Sequence, residues 1–93
     1  MMTLLNEVRP LVRPFLTDEM QEIGTNEYSV DEGNMAIDIE CEHYVDYTDK
    51  LEVMHAVIEP KKVHVSFCDE DGNYGKPIDL TKYFSEYKYK VFN

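Results

Sequence analysis

The pattern with the clearest chemical meaning is a row of carboxylates in the middle of the chain. Asp38, Glu40 and Glu42 occupy every second position, and Asp46 continues the row beyond Tyr44. Alternate residues of a β-strand face the same side and are spaced by about 7 Å. Successive phosphates along one DNA strand are also about 7 Å apart. The row therefore indicates either an ordinary solvated strand face or a surface that copies a phosphate row in sign and spacing.

Charge is distributed unevenly along the sequence. Residues 17–59 hold thirteen acids and one base, whereas the remaining residues are slightly basic and the whole chain carries −10. Nucleic acids and anionic membranes attract Lys and Arg, so this charge disfavours direct binding to either. It favours a basic protein partner, or simply a well-solvated surface. The candidate partner-binding residues are Asp31, Glu32, Asp38, Glu40, Glu42, Asp46, Asp49 and Glu52.

The histidines raise the question of a metal site. In the strand pairing predicted below, His43 and His55 face each other, and Cys41 lies on the same side as His43. His64 falls on the opposite face of its own strand. Structural zinc sites usually need four closely spaced ligands, so two core histidines with hydrogen-bond partners are the simpler interpretation. We expect neither a metal ion nor a cofactor.

Other motifs give little support for catalysis. Residues 69–73 begin like a calcium-binding loop, but Tyr74 and Leu80 stand where that loop requires glycine and glutamate. A hairpin turn is the better prediction for this segment. There is no Gly-x-Ser-x-Gly motif and no glycine-rich phosphate loop, and neither cysteine stands in a recognisable nucleophile context. The sequence predicts a protein that is not an enzyme.

These residues must be positioned by a small set of elements. Apolar residues at helical spacing run from Leu5 to Ile23, and Pro10 and Pro14 interrupt them, which predicts two short helices or one broken helix. Asp18 and Gln21 form a candidate capping box for a second helical piece, which would end near Gly24.

Alternating residues predict the strands that follow. A short strand at 27–31 and a turn at 31–34 lead into a long strand at 35–47. A further strand at 50–59 would pair Tyr47 with Leu51 and place Leu51, Val53, His55 and Val57 on its apolar face. A turn at 60–62 and a strand at 63–68 come next.

The C-terminal part contains a turn-rich loop at 69–75 and a short strand near 76–78. Asp79 is the predicted cap of a last helix with Leu80, Tyr83, Phe84 and Tyr87 on its apolar side, and the tail from residue 88 could add a strand. The predicted class is α+β: an antiparallel β-meander of about four strands with helices at the N- and C-terminal ends.

Length and cysteine content bound the class of protein. Ninety-three residues predict one acidic α+β domain over 1–93, with a core small enough to leave self-association open. Cys41 and Cys68 are isolated, and the N-terminal residues lack the features of a signal peptide, so we expect reduced thiols and a cytoplasmic protein. No apolar run has the length of a membrane span.

In size, acidity, expected α+β build and the row Asp38, Glu40, Glu42 and Asp46, the chain resembles the small acidic DNA-mimic proteins of phages. It is most similar to the anti-restriction nuclease proteins of T-even phages. That resemblance implies a phage-encoded inhibitor, often dimeric, that occupies the DNA site of a host restriction nuclease or another basic DNA-binding protein in the host cytoplasm. The alternative is a non-catalytic interaction module, such as an adaptor, an immunity protein or a complex subunit.

Overall fold

The computed structural model describes residues 2–48 and 53–91. Within these residues, five strands form one antiparallel sheet, and one α-helix packs against it. In chain order, the elements are α1 (Met2–Leu16), β1 (Gly24–Glu32), β2 (Met35–Thr48), β3 (Val53–Phe67), β4 (Ile78–Asp79), a 3-10 turn (Thr81–Tyr83) and β5 (Tyr87–Val91). The predicted α+β class and the antiparallel meander are therefore confirmed.

The sheet is narrow and long. Strands β1, β2 and β3 lie side by side, and the far edge of β3 pairs with β4 near one end and with β5 near the other. The body measures 56 × 24 × 17 Å, and its radius of gyration of 15.6 Å exceeds the value of about 12 Å typical of a compact chain of this length. Helix α1 packs on one face of the sheet, and the opposite face is called the open face below.

Helix α1 is one continuous element, so the predicted interruption of the helix at its prolines was wrong. Pro10 and Pro14 both lie inside it, and each lacks the backbone N–H that a helical hydrogen bond requires. The side chains of its apolar stripe are almost fully buried against the sheet; they are Leu5, Val8, Val12 and Leu16. This packing extends past both prolines and outweighs the missing hydrogen bonds.

The second helical piece predicted after residue 17 is absent from the described residues, and that prediction was wrong. Asp18 forms a turn instead: its Oδ1 accepts the N–H of Met20 at 2.9 Å, and its carbonyl accepts the N–H of Gln21 at 3.3 Å. Met20 and Ile23, which the helical period had assigned to the core, are 88% and 71% exposed. Helical spacing of apolar residues stabilises a helix mainly when these residues pack against the rest of the protein, and Met20 and Ile23 do not.

The hairpin of β1 and β2 confirms the strongest part of the sequence pattern. The strands pair from Gly24 with His43 up to Glu32 with Met35, around a two-residue turn in which Gly33 has a φ of 62°. Glycine adopts this left-handed conformation without steric cost. Strand β1 starts three residues earlier than predicted, at Gly24. Of the predicted apolar face of β2, Val45 is only partly buried. The five positions before it on the α1 side are buried: Met35, Ile37, Ile39, Cys41 and His43.

Strand β3 replaces two predicted strands and the turn between them. It runs without interruption from Val53 to Phe67, so the predicted turn at 60–62 was wrong. Lys61 is an extra residue there, because Cys41 pairs with Pro60 while Glu40 pairs with Lys62. This β-bulge accommodates a proline that cannot donate to the ladder. It also reverses the alternation of faces, so that the positions facing α1 are even-numbered before it and odd-numbered after it. Val57, on the open face, is fully buried as well.

The predicted register between β2 and β3 was also wrong. Tyr47 pairs with Met54 rather than with Leu51, which lies outside the described residues. Shifting the pairing register by an odd number of residues moves every side chain of the strand to the other face of the sheet. His55 and Val57 therefore lie on the open face instead of the α1 face. His43 pairs with Ile58, and His55 pairs with Asp46. The two histidines considered as a metal pair are therefore on opposite sides of the sheet.

The C-terminal segment contains a single 3-10 turn, Thr81–Tyr83, where a helix was predicted. The predicted helix and its cap were wrong, because Leu80 is the N-cap residue of this turn. Asp79 precedes it, and its Oδ1 accepts the N–H and the hydroxyl of Thr81 at 2.9 and 2.6 Å. These bonds hold the pKa of Asp79 below its usual value. Leu80 is fully buried. The chain then extends into β5 along β3, which confirms the predicted C-terminal strand.

Candidate functional site

The most distinctive surface is a group of four carboxylates on the open face, here called the acidic quartet: Glu27 and Asp31 on β1 and Asp38 and Glu40 on β2. The register places all four on the same side of two neighbouring strands. Glu27 is directly opposite Glu40, and Asp38 is opposite Ser29. The quartet is thus two adjacent rows of negative charge, with about 7 Å between alternate positions in a row.

No member of the quartet forms an ion pair with a residue of the described ranges 2–48 and 53–91. The one side-chain contact is a long hydrogen bond of 3.4 Å from the Ser29 hydroxyl to Asp38. A shallow cleft of about 260 Å³ lies between Glu27, Asp38 and Glu40, and Lys62 borders it from β3. Like charges that face each other across strands are destabilising, so the quartet is a surface at which a cation would relieve repulsion.

The two other predicted acids of β2 are in a different environment. Lys61 Nζ lies 3.8 Å from Glu42 and 3.0 Å from Glu59, and Lys88 Nζ lies 3.9 Å from Asp46. The hydrogen bond and the charge of Glu59 raise the pKa of Lys61. The predicted row is therefore one geometric row on the open face, but lysines from β3 and β5 partly neutralise its far end.

The remaining predicted site residues are dispersed. Asp31 joins the quartet, but Glu32 pairs with Met35 and lies at the α1 side of the sheet, beside a groove that includes Glu7 and Phe67. Asp49 and Glu52 lie outside the described residues. Glu27 was missed by the sequence analysis, although its alternation with Tyr28 was the signal that could have placed it on the same face as Asp31.

Positive charge gathers on the helical layer, away from the quartet. Arg9 and Arg13 line a cleft of about 280 Å³ between α1 and residues 83–87. Both are exposed, and neither makes an ion pair with a described residue. The slightly basic parts of the sequence thus fold onto α1 and the β3–β5 side, and the acidic stretch forms the β1–β2 side.

A buried polar cluster joins the loop after α1 to the sheet. His43 Nδ1 is 2.7 Å from the carbonyl of Gln21, and because a carbonyl only accepts, Nδ1 carries the proton. In the neutral ring, Nε2 then accepts from the Tyr89 hydroxyl at 2.8 Å. The Gln21 side chain donates to the carbonyl of Phe15 and accepts from Cys41 Sγ at 3.2 Å. Both ring nitrogens are engaged within the protein, which is the arrangement of a structural core histidine.

Cys41 in this cluster lacks the surroundings of a nucleophile. It is fully buried, and burial followed by the charge of Glu40 raises the pKa of its thiol. Reactive cysteines have a lowered pKa and an exposed sulfur, because the thiolate is the attacking species.

This difference predicts selective thiol chemistry. Iodoacetamide at pH 8 should modify Cys68, which is partly exposed, while Cys41 should react only after denaturation. Mass spectrometry of the folded protein should therefore show one added group, and the urea-unfolded protein two. Rapid modification of both thiols in the folded protein would contradict the burial of Cys41.

The loop at 69–75 is a turn, as predicted. Asp69 Oδ1 accepts the N–H groups of Asp71 and Asn73, both at 2.9 Å, and its backbone N–H donates to the carbonyl of Asn73. The loop therefore uses its first carboxylate to stabilise its own backbone. Within residues 2–48 and 53–91, no three His, Cys, Asp or Glu side chains come together as a metal-binding group.

No protein-family model, curated protein or solved structure matches this chain. Of the helices in the described residues, none has the length and apolar character required to cross a membrane. The function is therefore argued from the geometry of the acidic quartet and the edge of the sheet beside it.

Proposed function

We propose that this protein is a DNA-mimic inhibitor, which binds the DNA-binding surface of a basic protein and blocks it without catalysis. The observation that carries the proposal is the acidic quartet: four carboxylates on two adjacent strands, with no ion pair to any described residue. A basic groove that accepts phosphates would also accept carboxylates at this spacing, because Asp38 and Glu40 lie one phosphate spacing of about 7 Å apart, and Glu27 and Asp31 about two.

The charge distribution supports a directional encounter with such a partner. The β1–β2 side presents the quartet, whereas Arg9 and Arg13 lie on the helical layer. A surface of one sign steers an oppositely charged partner and speeds association, and salt screens this attraction. By the resemblance described above, the target would be a host restriction nuclease or another DNA-binding defence protein in the host cytoplasm.

The ion pairs of Glu42 and Asp46 reduce the number of carboxylates that we propose as the contact surface. A carboxylate that forms an ion pair with a lysine offers less net charge to a partner, whereas Glu40 has Lys62 opposite it in the register without an ion pair. The proposed contact surface is therefore the quartet, with Glu42 and Asp46 at its margin.

A second candidate is a plain interaction module, which the exposed apolar pair favours. Met20 and Ile23 are 88% and 71% exposed and lie in the loop that leads into β1. Apolar side chains in such positions are often covered in a complex. The two candidates differ in one measurable respect: a mimic excludes DNA from its partner, and an adaptor does not.

The variant Glu27→Gln/Glu40→Gln tests the proposal. Removing two directly opposed carboxylates should leave the free energy of unfolding unchanged or raise it by up to about 1 kcal/mol, because like-charge repulsion is relieved. Affinity for the basic partner should fall at least about tenfold, or about 1.4 kcal/mol, and its dependence on salt should flatten. Thermal melts and binding titrations at two salt concentrations measure these effects.

The matched control is Glu70→Gln/Asp71→Asn, which removes the same charge from the loop at 69–75, outside the sheet. The partner is first captured from a bacterial lysate on the immobilised protein, eluted with a DNA duplex, identified and purified. Competition between the inhibitor and labelled duplex for that partner then decides the function. A partner that binds DNA and this protein at the same time would refute mimicry, as would equal affinity for the quartet variant and its control.

A further inference from the structure

Strand β1 is a long edge strand that carries carboxylates but none of the lysine, proline or bulge that usually protects an edge. It pairs with β2 along nine residues, and no strand of the described residues pairs with its outer side. Edge strands in soluble proteins are normally blocked by lysine, proline, a bulge or a covering segment. The sequence of Gly24–Glu32 contains neither proline nor lysine, and its register with β2 is regular throughout.

The register identifies the backbone groups that face outward. Glu32 and Met35 close a two-residue turn, so they form a hydrogen-bonded pair, and such pairs alternate along an antiparallel ladder. The N–H and C=O groups of residues 24, 26, 28, 30 and 32 therefore point to β2. Those of residues 25, 27, 29 and 31 point away from the sheet and are available to a further strand.

These outward residues are also the ones whose side chains lie on the open face. Two of them, Glu27 and Asp31, belong to the acidic quartet, and the other two are Thr25 and Ser29. A residue paired directly with Glu27 or Asp31 would project its side chain to the same face at about 5 Å. The intervening residues of an added strand would lie beside Tyr28 and Val30, which pack against the core on the α1 side.

We propose that β1 binds an extended basic segment of the partner protein as an additional strand of the sheet. The segment places Lys or Arg at two positions four residues apart, opposite Glu27 and Asp31, and apolar residues opposite Tyr28 and Val30. Backbone hydrogen bonds supply part of the affinity, and the carboxylates supply the preference for basic segments. This inference rests on the proposed function, because it specifies how the acidic surface engages its basic target.

Charge favours this occupant over a second copy of the chain. Each β1 edge carries Glu27, Asp31 and Glu32 without any cation, so two edges would bring six carboxylates together on molecules that each carry −10. A basic segment neutralises the same groups. Residue pairing and charge therefore select the same kind of partner.

The probe is a fluorescein-labelled peptide, Lys-Val-Ser-Val-Lys-Val-Thr, followed by fluorescence anisotropy. Ser29→Pro removes the one outward N–H at the centre of the edge and leaves the ladder to β2 intact, because residue 29 does not donate to β2. It should weaken peptide binding at least tenfold. Ser29→Ala retains the N–H and removes only the hydroxyl that reaches Asp38, so it should bind as the native protein does.

A second arm keeps the test independent of how Ser29→Pro folds. The peptide Lys-Val-Pro-Val-Lys-Val-Thr has the same charge but lacks the central donor, and it should bind the native protein at least tenfold more weakly. Equal binding of both peptides would overturn the inference, because charge alone would then explain the affinity. Sedimentation that shows a native dimer and a Ser29→Pro monomer would also overturn it, because a second copy would occupy the edge.

The inference and the proposed function fail in different ways. If folded Ser29→Pro still competes with DNA for the captured partner at native affinity, the edge inference falls and the mimic proposal stands. If the edge binds the first peptide in preference to its proline form while the captured partner binds DNA and this protein together, the mimic proposal falls and the edge inference stands.

Discussion

Ile39→Ala should lower the free energy of unfolding by about 2–5 kcal/mol, the range for truncating a buried aliphatic side chain. Ile39 is 2% exposed and belongs to the core between β2 and α1. The removed atoms leave a cavity that the packed sheet cannot fill completely. Urea denaturation should show a lower midpoint with an unchanged slope.

Its neighbour supplies the control. Asp38→Asn alters the adjacent residue of the same strand on the open face, where a conservative surface substitution should change stability by no more than about 0.5 kcal/mol. Equal destabilisation by Ile39→Ala and Asp38→Asn would contradict the assignment of the two faces of β2, and with it the location of the acidic quartet.

Leu80→Ala should cost a similar amount, about 2–5 kcal/mol, and should also loosen the C-terminal segment. Leu80 is fully buried, and its N–H donates to the carbonyl of Val63 at 2.8 Å. The N–H of Val63 in turn donates to Thr81 Oγ1 at 2.9 Å. The buried Leu80 side chain and these two hydrogen bonds together hold the segment before β5 against β3. Thermal melts report the stability, and hydrogen exchange of the β5 amides reports the loosening.

Tyr83→Ala is the matched control because Tyr83 lies in the 3-10 turn that follows Leu80 directly and is 37% exposed. It should lower stability by much less than Leu80→Ala and leave exchange in β5 nearly unchanged. Faster exchange in β5 after Tyr83→Ala alone would show that the exposed ring, rather than the buried leucine, fixes this segment.

Strand β2 could be predicted from sequence because one of its faces is buried against α1 and the other is exposed to water. Ile37 and Ile39 pack under α1 while Asp38 faces water, so local alternation and tertiary environment agree. The turn at Gly33 also carried its own local signal, a glycine that can adopt positive φ. Where the local preference and the final environment coincide, the pattern predicts the element and its orientation.

Strand β3 shows where this reasoning stops. Its partner register depends on the length of the connection from β2, and an error of three residues places His55 on the wrong face. Pro60 and the lysines after it are typical of turns, but in this protein a bulge accommodates them within a strand. The pairing partners on β2 decide this outcome, and a local pattern does not contain them.

The electrostatics of the site had the same limit. The positions of Asp38 and Glu40 on one face followed from alternation alone. The lysines beside Glu42 and Asp46 come from other strands, 19 and 42 residues further along the chain. Only the folded structure shows which carboxylates form ion pairs with a lysine.

The hydrogen bonds of β5 have a consequence for the order of folding. Tyr89 contacts His43 across 46 positions and the Glu19 carbonyl across 70 positions, and Tyr87 reaches the Glu19 side chain across 68. The hairpins β1–β2 and β2–β3 close short loops. Strand β5 instead pairs with the edge of β3, which has to be in place before β5 can add to it. Because closing long loops costs more entropy before contacts compensate it, we expect β5 to dock last and to set the slowest folding phase. A chain still emerging from the ribosome would therefore expose the β5 side of β3 until residues 87–91 have left the exit tunnel.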